Sequence, residues 1–174
     1  MRNAVFLDRD GVINKSLIQN YKPYPPKTLD DLSILPRVKE ACQMMANAGW
    51  LLIVITNQPD VARGKISLNE VKKINNYLMK QLPLSEIKTC YHDDINNCSC
   101  RKPKPGLILE ASRHYNINLS SSYFVGDRWR DMEAGQRSGC KTIFIDYNYK
   151  EKRPETFDHC VKSLYEATKI ILGI

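Results

Sequence analysis

The segment Val5-Phe6-Leu7-Asp8-Arg9-Asp10-Gly11 decides the fold class, because a short apolar run ends abruptly at two carboxylates. Similar runs recur along the chain. The strongest is Leu51-Leu52-Ile53-Val54-Ile55, which has the unbroken apolar character of a strand covered on both faces. Amphipathic stretches separate these runs. Strands that alternate with helices predict an α/β fold, a single Rossmann-like domain with a mostly parallel sheet flanked by helices.

Five strands and five helices are expected. The strands are predicted at residues 5–7, 51–55, 87–91, 123–125 and 142–145, and the helices at residues 36–48, 68–81, 105–115, 129–138 and 160–172. Segment 14–35 contains three prolines and is predicted to be a loop that faces the substrate. Segment 147–159 is polar and is expected to be a surface excursion. One domain over residues 1–174, without a cap domain, is therefore expected.

Composition narrows the possible partners. The 26 basic and 19 acidic residues give a formal net charge of +7, which suits an anionic partner or simply a basic surface. No apolar run reaches the roughly 18 residues of a membrane span, and no signal peptide is evident. We therefore expect a cytoplasmic protein with no membrane partner. Its lysines are scattered rather than arranged in a stripe with aromatic residues, so no nucleic-acid partner is expected.

Polar residues follow several predicted strands. Asp8 and Asp10 come after the first strand, Thr56 follows the second, and Asp127 follows the fourth. In a parallel sheet, ligands bind beyond the carboxyl ends of the strands. Asp8 and Asp10 would face the same side, and such close like charges need a cation; with Asp127 they form a hard-oxygen set suited to Mg²⁺. A carboxylate in this setting can attack phosphorus, so the pattern indicates phosphoryl transfer through an aspartyl-phosphate.

Each of these residues alone is weak evidence. An Asp after a strand is more often a turn or capping residue, and Asp131 alone could simply favour a helix N-terminus. A lysine near the entrance of the third helix, either Lys102 or Lys104, could neutralise transition-state charge. The function is indicated by the whole set in this order.

This set resembles the motifs of the haloacid dehalogenase superfamily of phosphatases, over most of the chain. The first motif corresponds to Asp8-Arg9-Asp10-Gly11, the second to Thr56, the third to a lysine, and the fourth to Gly126-Asp127 with Asp131. Within the superfamily, four strings are similar to the branch of heptose-bisphosphate and histidinol-phosphate phosphatases. They are residues 8–14, 56–58, 62–64 and 98–103.

The resemblance implies roles for the carboxylates and the threonine. Asp8 would be the nucleophile. Asp10 would be the general acid that protonates the leaving oxygen and then the base that activates water. Mg²⁺ would be bound by Asp8, Asp10 through its backbone carbonyl, and Asp127. Thr56 would donate to the phosphate.

The resemblance also implies substrate contacts. The Arg-Lys-Pro pattern of the branch favours Lys102 over Lys104 as the phosphate-site lysine, with Asp131 orienting it. The remaining contacts are divided between the phosphate and the sugar. Arg101 and Arg128 would contact substrate or phosphate, and Asn57 and Gln58 would lie near the reacting sugar carbon.

A cysteine cluster predicts a second metal. Cys90, His92, Cys98 and Cys100 are spaced as C-x-H-x5-C-x-C, and three thiols with one imidazole suit tetrahedral Zn²⁺. Four protein ligands leave no open position, so this zinc loop, at about residues 90–100, would be structural and would hold Arg101 and Lys102 in place. The other cysteines, Cys42, Cys140 and Cys160, are expected to be buried as small apolar residues.

The expected function is a Mg²⁺-dependent phosphatase acting on a phosphomonoester of a sugar bisphosphate, heptose 1,7-bisphosphate first. Its partner would be a small phosphorylated sugar, and the chain is expected to be a monomer. Pro59-Asp60 stands where the branch usually has Ser-Gly, close to the expected sugar. Histidinol phosphate or another small phosphomonoester is therefore the alternative substrate. A basic zinc-loop protein that binds nucleic acid is the alternative from another functional class.

Overall fold

The computed structural model describes every residue from Met1 to Ile174. The strands are β1 (Ala4–Leu7), β2 (Leu17–Gln19), β3 (Lys22–Tyr24), β4 (Leu51–Asn57), β5 (Glu86–Cys90), β6 (Tyr123–Gly126), β7 (Lys141–Ile145) and β8 (His159–Val161). The helices are α1 (Val38–Asn47), α2 (Leu68–Gln81), α3 (Gly106–Tyr115), α4 (Trp129–Ser138) and α5 (Leu164–Leu172). None of these helices has the length and apolar character needed to cross a bilayer.

Six strands form one sheet in the order β5-β4-β1-β6-β7-β8, and every neighbouring pair is parallel. This confirms the predicted α/β fold with a parallel sheet. β1 lies in the middle, between β4 and β6, so the residues that follow these three strands meet at one edge of the sheet.

β1 shows how the sheet is covered on both faces. Its four residues are fully buried, and they alternate between two apolar layers: Val5 and Leu7 on one face, Ala4 and Phe6 on the other. Buried residues of α1, α2 and α5 complete the first layer, and those of α3 and α4 complete the second. A strand enclosed in this way keeps the position of Asp8, the next residue, fixed.

The C-terminal region departs from the prediction. The helix expected at residues 160–172 begins only at Leu164, where the Ser163 side chain accepts the Glu166 N–H at 3.2 Å. Residues 159–161 instead form β8 at the edge of the sheet. The prediction that Cys160 is buried is wrong for the same reason, since it lies exposed on this edge strand; Cys42 and Cys140 are buried as predicted.

Segment 14–35 is not only a loop. β2 and β3 pair in an antiparallel hairpin, and the two residues between them, Asn20 and Tyr21, both have positive φ (51° and 60°). Positive φ at both central positions is the signature of the tight turn that suits the twist of a hairpin. Pro23 is tolerated because this two-stranded ribbon has no central strand.

Candidate active site

A polar cleft opens at the carboxyl ends of β1, β4 and β6. Its volume is about 270 Å³, and only one of its 18 lining residues is hydrophobic. The residues expected at the site that line it are Asp8, Asp10, Asn57, Arg101, Lys102, Asp127, Arg128 and Asp131. Such a lining suits a small, highly polar ligand rather than an apolar one.

Lys102 is the lysine that reaches the carboxylates. Its side chain is buried, and Nζ lies 2.8 Å from Asp8 Oδ1 and 2.7 Å from Asp131 Oδ1. Lys104 does not line the cleft, and its Nζ instead donates to Asn97 Oδ1 at 2.6 Å. Asn57, expected near the sugar, holds the backbone of Lys102 through two hydrogen bonds of 3.1 Å each. β4 therefore positions the lysine through the side chain of its last residue.

Three buried carboxylates lie close together beside Lys102. Asp8, Asp127 and Asp131 each place an oxygen within 4.8 Å of the others. Burial and the neighbouring Asp131 raise the pKa of Asp8 to about 7, although Lys102 opposes this. Burial and the charges of Asp8 and Asp131 also raise the pKa of Asp127 well above its usual range. One lysine does not balance this much negative charge, so the site calls for a further cation.

Mg²⁺ fits the donors that remain. Both oxygens of Asp131 are engaged, Oδ1 by Lys102 and Oδ2 by the Arg128 N–H at 3.0 Å. Asp127 Oδ1 is buried and has no hydrogen-bond partner. Gly11 leaves room beside the Asp127 carboxylate, since a Cβ at this position would lie 1.9 Å from Oδ2. Unpartnered, hard carboxylate oxygens are the ligands that Mg²⁺ prefers.

Asp10 is held by donors on both of its oxygens. Oδ1 accepts from Asn14 Nδ2 at 2.9 Å and from Arg9 Nε at 3.2 Å, and Oδ2 accepts from Gln58 Nε2 at 2.8 Å. Arg9 is fully buried and also donates to Asn75 Oδ1 at 3.0 Å. Arg9 was not among the predicted site residues. The available signal was a charged side chain between two strand-end aspartates, since a buried cation needs carboxylate partners.

Thr56 and Gln58, both predicted to contact the substrate, are buried beneath the cleft. Both are 1% exposed, and Gln58 Nε2 bridges Thr56 Oγ1, at 2.9 Å, and Asp10 Oδ2. Gln58 therefore contacts the Asp10 carboxylate and does not line the cleft. Thr56 Oγ1 accepts this bond, so its own hydroxyl hydrogen stays available for another acceptor.

The segment after β7 contributes to the site, which the prediction of a surface excursion missed. We call residues 147–151 the strap. Tyr147 Oη donates to the Gly11 carbonyl at 3.0 Å, and Tyr149 Oη donates to Asp127 Oδ2 at 2.8 Å. Glu151 accepts from Arg128 Nε with both oxygens, at 2.9 and 3.1 Å. The strap is not a strand, since Asn148 has a positive φ of 55°, so no simple periodicity in the sequence marked these three side chains.

Arginines line the mouth of the cleft. Arg63 Nη2 lies 2.6 Å from Asp93 Oδ1, while Arg101 Nε lies 2.8 Å from Asp94 Oδ1. Arg130 also reaches Asp94, at 3.2 Å. Arg63 also lies 3.3 Å from Asp60 Oδ1, so the three guanidinium groups share three carboxylates. Only Arg101 was predicted; Arg63 and Arg130 come from other parts of the chain and meet it only in the fold.

The four residues predicted to bind zinc lie together beyond β5. Cys100 Sγ is 3.0 Å from Cys90 Sγ, 3.3 Å from Cys98 Sγ and 3.3 Å from His92 Nδ1. Cys90 Sγ is 3.7 Å from both Cys98 Sγ and His92 Nδ1. A tetrahedral zinc ion with Zn–S bonds of about 2.3 Å separates its ligand atoms by about 3.7 Å, so the donors nearly fit that geometry.

Comparison with known proteins agrees with this arrangement. The profile of the HAD-hydrolase-like family matches residues 99–167. The chain is 32% identical, over 94% of its length and 92% of the relative, to the D-glycero-alpha-D-manno-heptose-1,7-bisphosphate 7-phosphatase of Campylobacter jejuni. It is 34% identical, over 83% of its length and 81% of the relative, to the D-glycero-beta-D-manno-heptose-1,7-bisphosphate 7-phosphatase of Pseudomonas aeruginosa.

A solved structure with a similar fold is that of D,D-heptose 1,7-bisphosphate phosphatase from B. bronchiseptica, complexed with magnesium and phosphate. It superposes with a TM-score of 0.84 at 26% identity, and 98% of each chain is covered. Relatives this similar over nearly the whole length establish the family. The chain belongs to the haloacid dehalogenase-like hydrolases, and within them it is similar to the heptose-1,7-bisphosphate 7-phosphatases.

Proposed function

We propose that this chain is a Mg²⁺-dependent phosphatase that hydrolyses the 7-phosphate of heptose 1,7-bisphosphate through an aspartyl-phosphate on Asp8. The observation that carries the proposal is Lys102 Nζ, held within 2.8 Å of both Asp8 and Asp131 next to an unpartnered oxygen of Asp127. The names of the relatives support the substrate, because they include heptose-1,7-bisphosphate 7-phosphatases of both anomeric types.

Asp8 is placed to be the nucleophile. Its Oδ1 accepts the Arg9 N–H at 2.8 Å and pairs with Lys102, which leaves Oδ2 free of protein donors. Attack by a carboxylate oxygen forms the Asp8–phosphorus bond and breaks the bond from phosphorus to the sugar oxygen. Water then attacks the same phosphorus, and the Asp8–phosphorus bond breaks to release phosphate.

Asp10 moves the proton in both halves of the reaction. It donates a proton to the departing sugar oxygen and later takes one from the attacking water. Asn14 and Gln58 fix the direction of its carboxylate from opposite sides. When bound, Mg²⁺ would be held by Asp8, the Asp10 backbone carbonyl and Asp127, and would neutralise negative charge near the phosphoryl group. Lys102 and the Thr56 hydroxyl contribute further donors to that group.

The arginines at the mouth support a substrate with a second phosphate. Arg63, Arg101 and Arg130 are already paired with acidic side chains, but Asp94 is exposed and easily exchanged for a phosphate. Guanidinium groups bind phosphate through paired, charge-assisted hydrogen bonds. Histidinol phosphate has no second phosphate for these arginines to bind, so they favour the bisphosphate.

We propose also that Cys90, His92, Cys98 and Cys100 bind a structural Zn²⁺. Four protein donors leave no position for substrate or water. Arg101 and Lys102 follow Cys100 directly, so a loop held rigid by zinc would also hold these two residues in place. Gly106 shows how closely the loop packs on α3, because a Cβ there would lie 2.3 Å from the Ser99 carbonyl oxygen.

Phosphate release from a panel of substrates tests the assignment. With Mg²⁺ present, kcat/KM for heptose 1,7-bisphosphate should exceed that for histidinol phosphate by at least about a hundredfold, the value expected when several charge-assisted contacts distinguish two substrates. Fructose 1,6-bisphosphate serves as the control for a second phosphate on a different sugar. A clear preference for histidinol phosphate would refute the substrate while leaving the chemistry intact.

A further inference from the structure

The strap supplies a hydrogen-bond donor to Asp127 from a segment that lies outside the sheet. β7 ends at Ile145, and the strap follows it and brings Tyr149 to the carboxylate. Tyr149 Oη lies 2.8 Å from Asp127 Oδ2. Among the hydrogen bonds of the structure, this is the sole one made to the Asp127 carboxylate. The other oxygen, Oδ1, is buried and unpartnered.

The type of donor is as informative as its position. Lys102 is committed to Asp8 and Asp131, so it does not neutralise Asp127. A phenol carries no charge; it holds a carboxylate in place without competing with a cation. Gly11 keeps the space beside Oδ2 clear, since any side chain there would collide with the carboxylate. The Tyr149 hydroxyl therefore fixes the direction of Asp127 without supplying a counter-charge.

We propose that Tyr149 is a positioning residue that turns Asp127 Oδ1 toward the Mg²⁺ site. This inference rests on the proposed function, because it assumes that Asp127 binds the metal. Partners that hydrogen-bond metal ligands orient them, and losing such a partner typically weakens metal binding by about 10- to 100-fold.

A purely structural role for Tyr149 makes a different prediction. Its ring stacks on Tyr147 with centroids 5.5 Å apart and an interplanar angle of 25°. Tyr147 also anchors the strap, but its hydroxyl bonds the Gly11 carbonyl rather than a carboxylate. Replacing either tyrosine by Phe keeps the ring and removes one hydroxyl. Tyr147→Phe is therefore the matched control for Tyr149→Phe.

The test is a calorimetric titration of metal-free protein with MgCl₂, without substrate. Tyr149→Phe should bind Mg²⁺ at least about tenfold more weakly than the unsubstituted protein, and Tyr147→Phe within about twofold of it. In phosphate-release assays, Tyr149→Phe should need more Mg²⁺ for half-maximal rate and recover most of kcat when Mg²⁺ is saturating. Thermal unfolding without Mg²⁺ checks that both variants are folded.

Three results would overturn the proposal. Equal Mg²⁺ affinity of Tyr149→Phe and the unsubstituted protein shows that the hydroxyl does not orient the ligand. Equal weakening in both variants shows that anchoring the strap is what matters. Failure of the unsubstituted protein to bind Mg²⁺ removes the metal site of the proposed function as well, and is distinguished from the first two results because it needs no variant.

Discussion

At the scale of single residues, Lys102 is the point on which the site depends. It is a buried cation between two buried carboxylates, and it also donates to the Ile55 carbonyl at 2.8 Å. The Arg-Lys-Pro string pointed to this residue, but the sequence could not reveal that the side chain of Asn57 fixes its backbone. That contact joins two residues 45 positions apart.

Lys102→Ala should destabilise the protein strongly. The substitution leaves Asp8 and Asp131 buried without their counter-ion, and losing one partner of such a group typically costs about 3–5 kcal/mol. Urea unfolding of the metal-free protein measures this difference. Lys104→Ala is the control, because Lys104 bonds only to Asn97 at the surface, and its effect should stay within about 0.5 kcal/mol. Similar stability of the two variants would contradict the buried placement of Lys102.

The raised pKa of Asp8 predicts a pH effect on stability. The folded protein holds this proton more tightly than the unfolded chain, since the pKa rises from 3.8 to about 7 through burial and Asp131. The stabilising effect of the protonated group is complete below the lower value and is lost as the pH rises through the upper one. Between about pH 4 and 7, metal-free protein should thus lose more unfolding free energy than Asp8→Asn does. If the unfolding free energies of the two proteins changed with pH in parallel, the raised pKa of Asp8 would be ruled out.

At the scale of elements, the loop between β5 and α3 brings the Cys/His cluster to the edge of the cleft. Metal analysis of protein purified without chelator should find about one zinc per chain. Cys98→Ser should lose the zinc and, with it, the rigid placement of Lys102. The control is Cys160→Ser, which alters an exposed cysteine far from the cluster and should retain the metal. Zinc retained by Cys98→Ser at full occupancy would refute the ligand set.

Local pattern predicted the long elements well and the short ones badly. Helices 68–81 and 129–138 have the predicted bounds, because apolar periodicity runs through both; Ser67 caps the start of the first and Gly139 ends the second. β8 and the β2–β3 hairpin have three residues per strand, too few for periodicity to detect. Each is fixed by its partner strand: β8 by β7, and the hairpin by a turn with two residues at positive φ.

At the scale of the whole molecule, the parallel topology explains why so much of the site could be predicted. The carboxyl ends of β1, β4 and β6 meet at one edge, so residues that directly follow those strands had to meet as well. The arginines at the mouth and the strap obey no such rule. The arginines come from the loops after β4 and β5 and from the start of α4, and the strap reaches Asp127 from beyond β7. Only the folded chain shows that they converge.

The proposed mechanism depends most on Asp8 as the nucleophile, and substitution of Asp8 tests this directly. Phosphate release from heptose 1,7-bisphosphate with saturating Mg²⁺ should fall at least about a thousandfold in Asp8→Asn, since the variant has no carboxylate to attack phosphorus. Circular dichroism should show that the fold is retained, because the amide is nearly the same size as the carboxyl it replaces. Near wild-type release by the folded variant would contradict the mechanism.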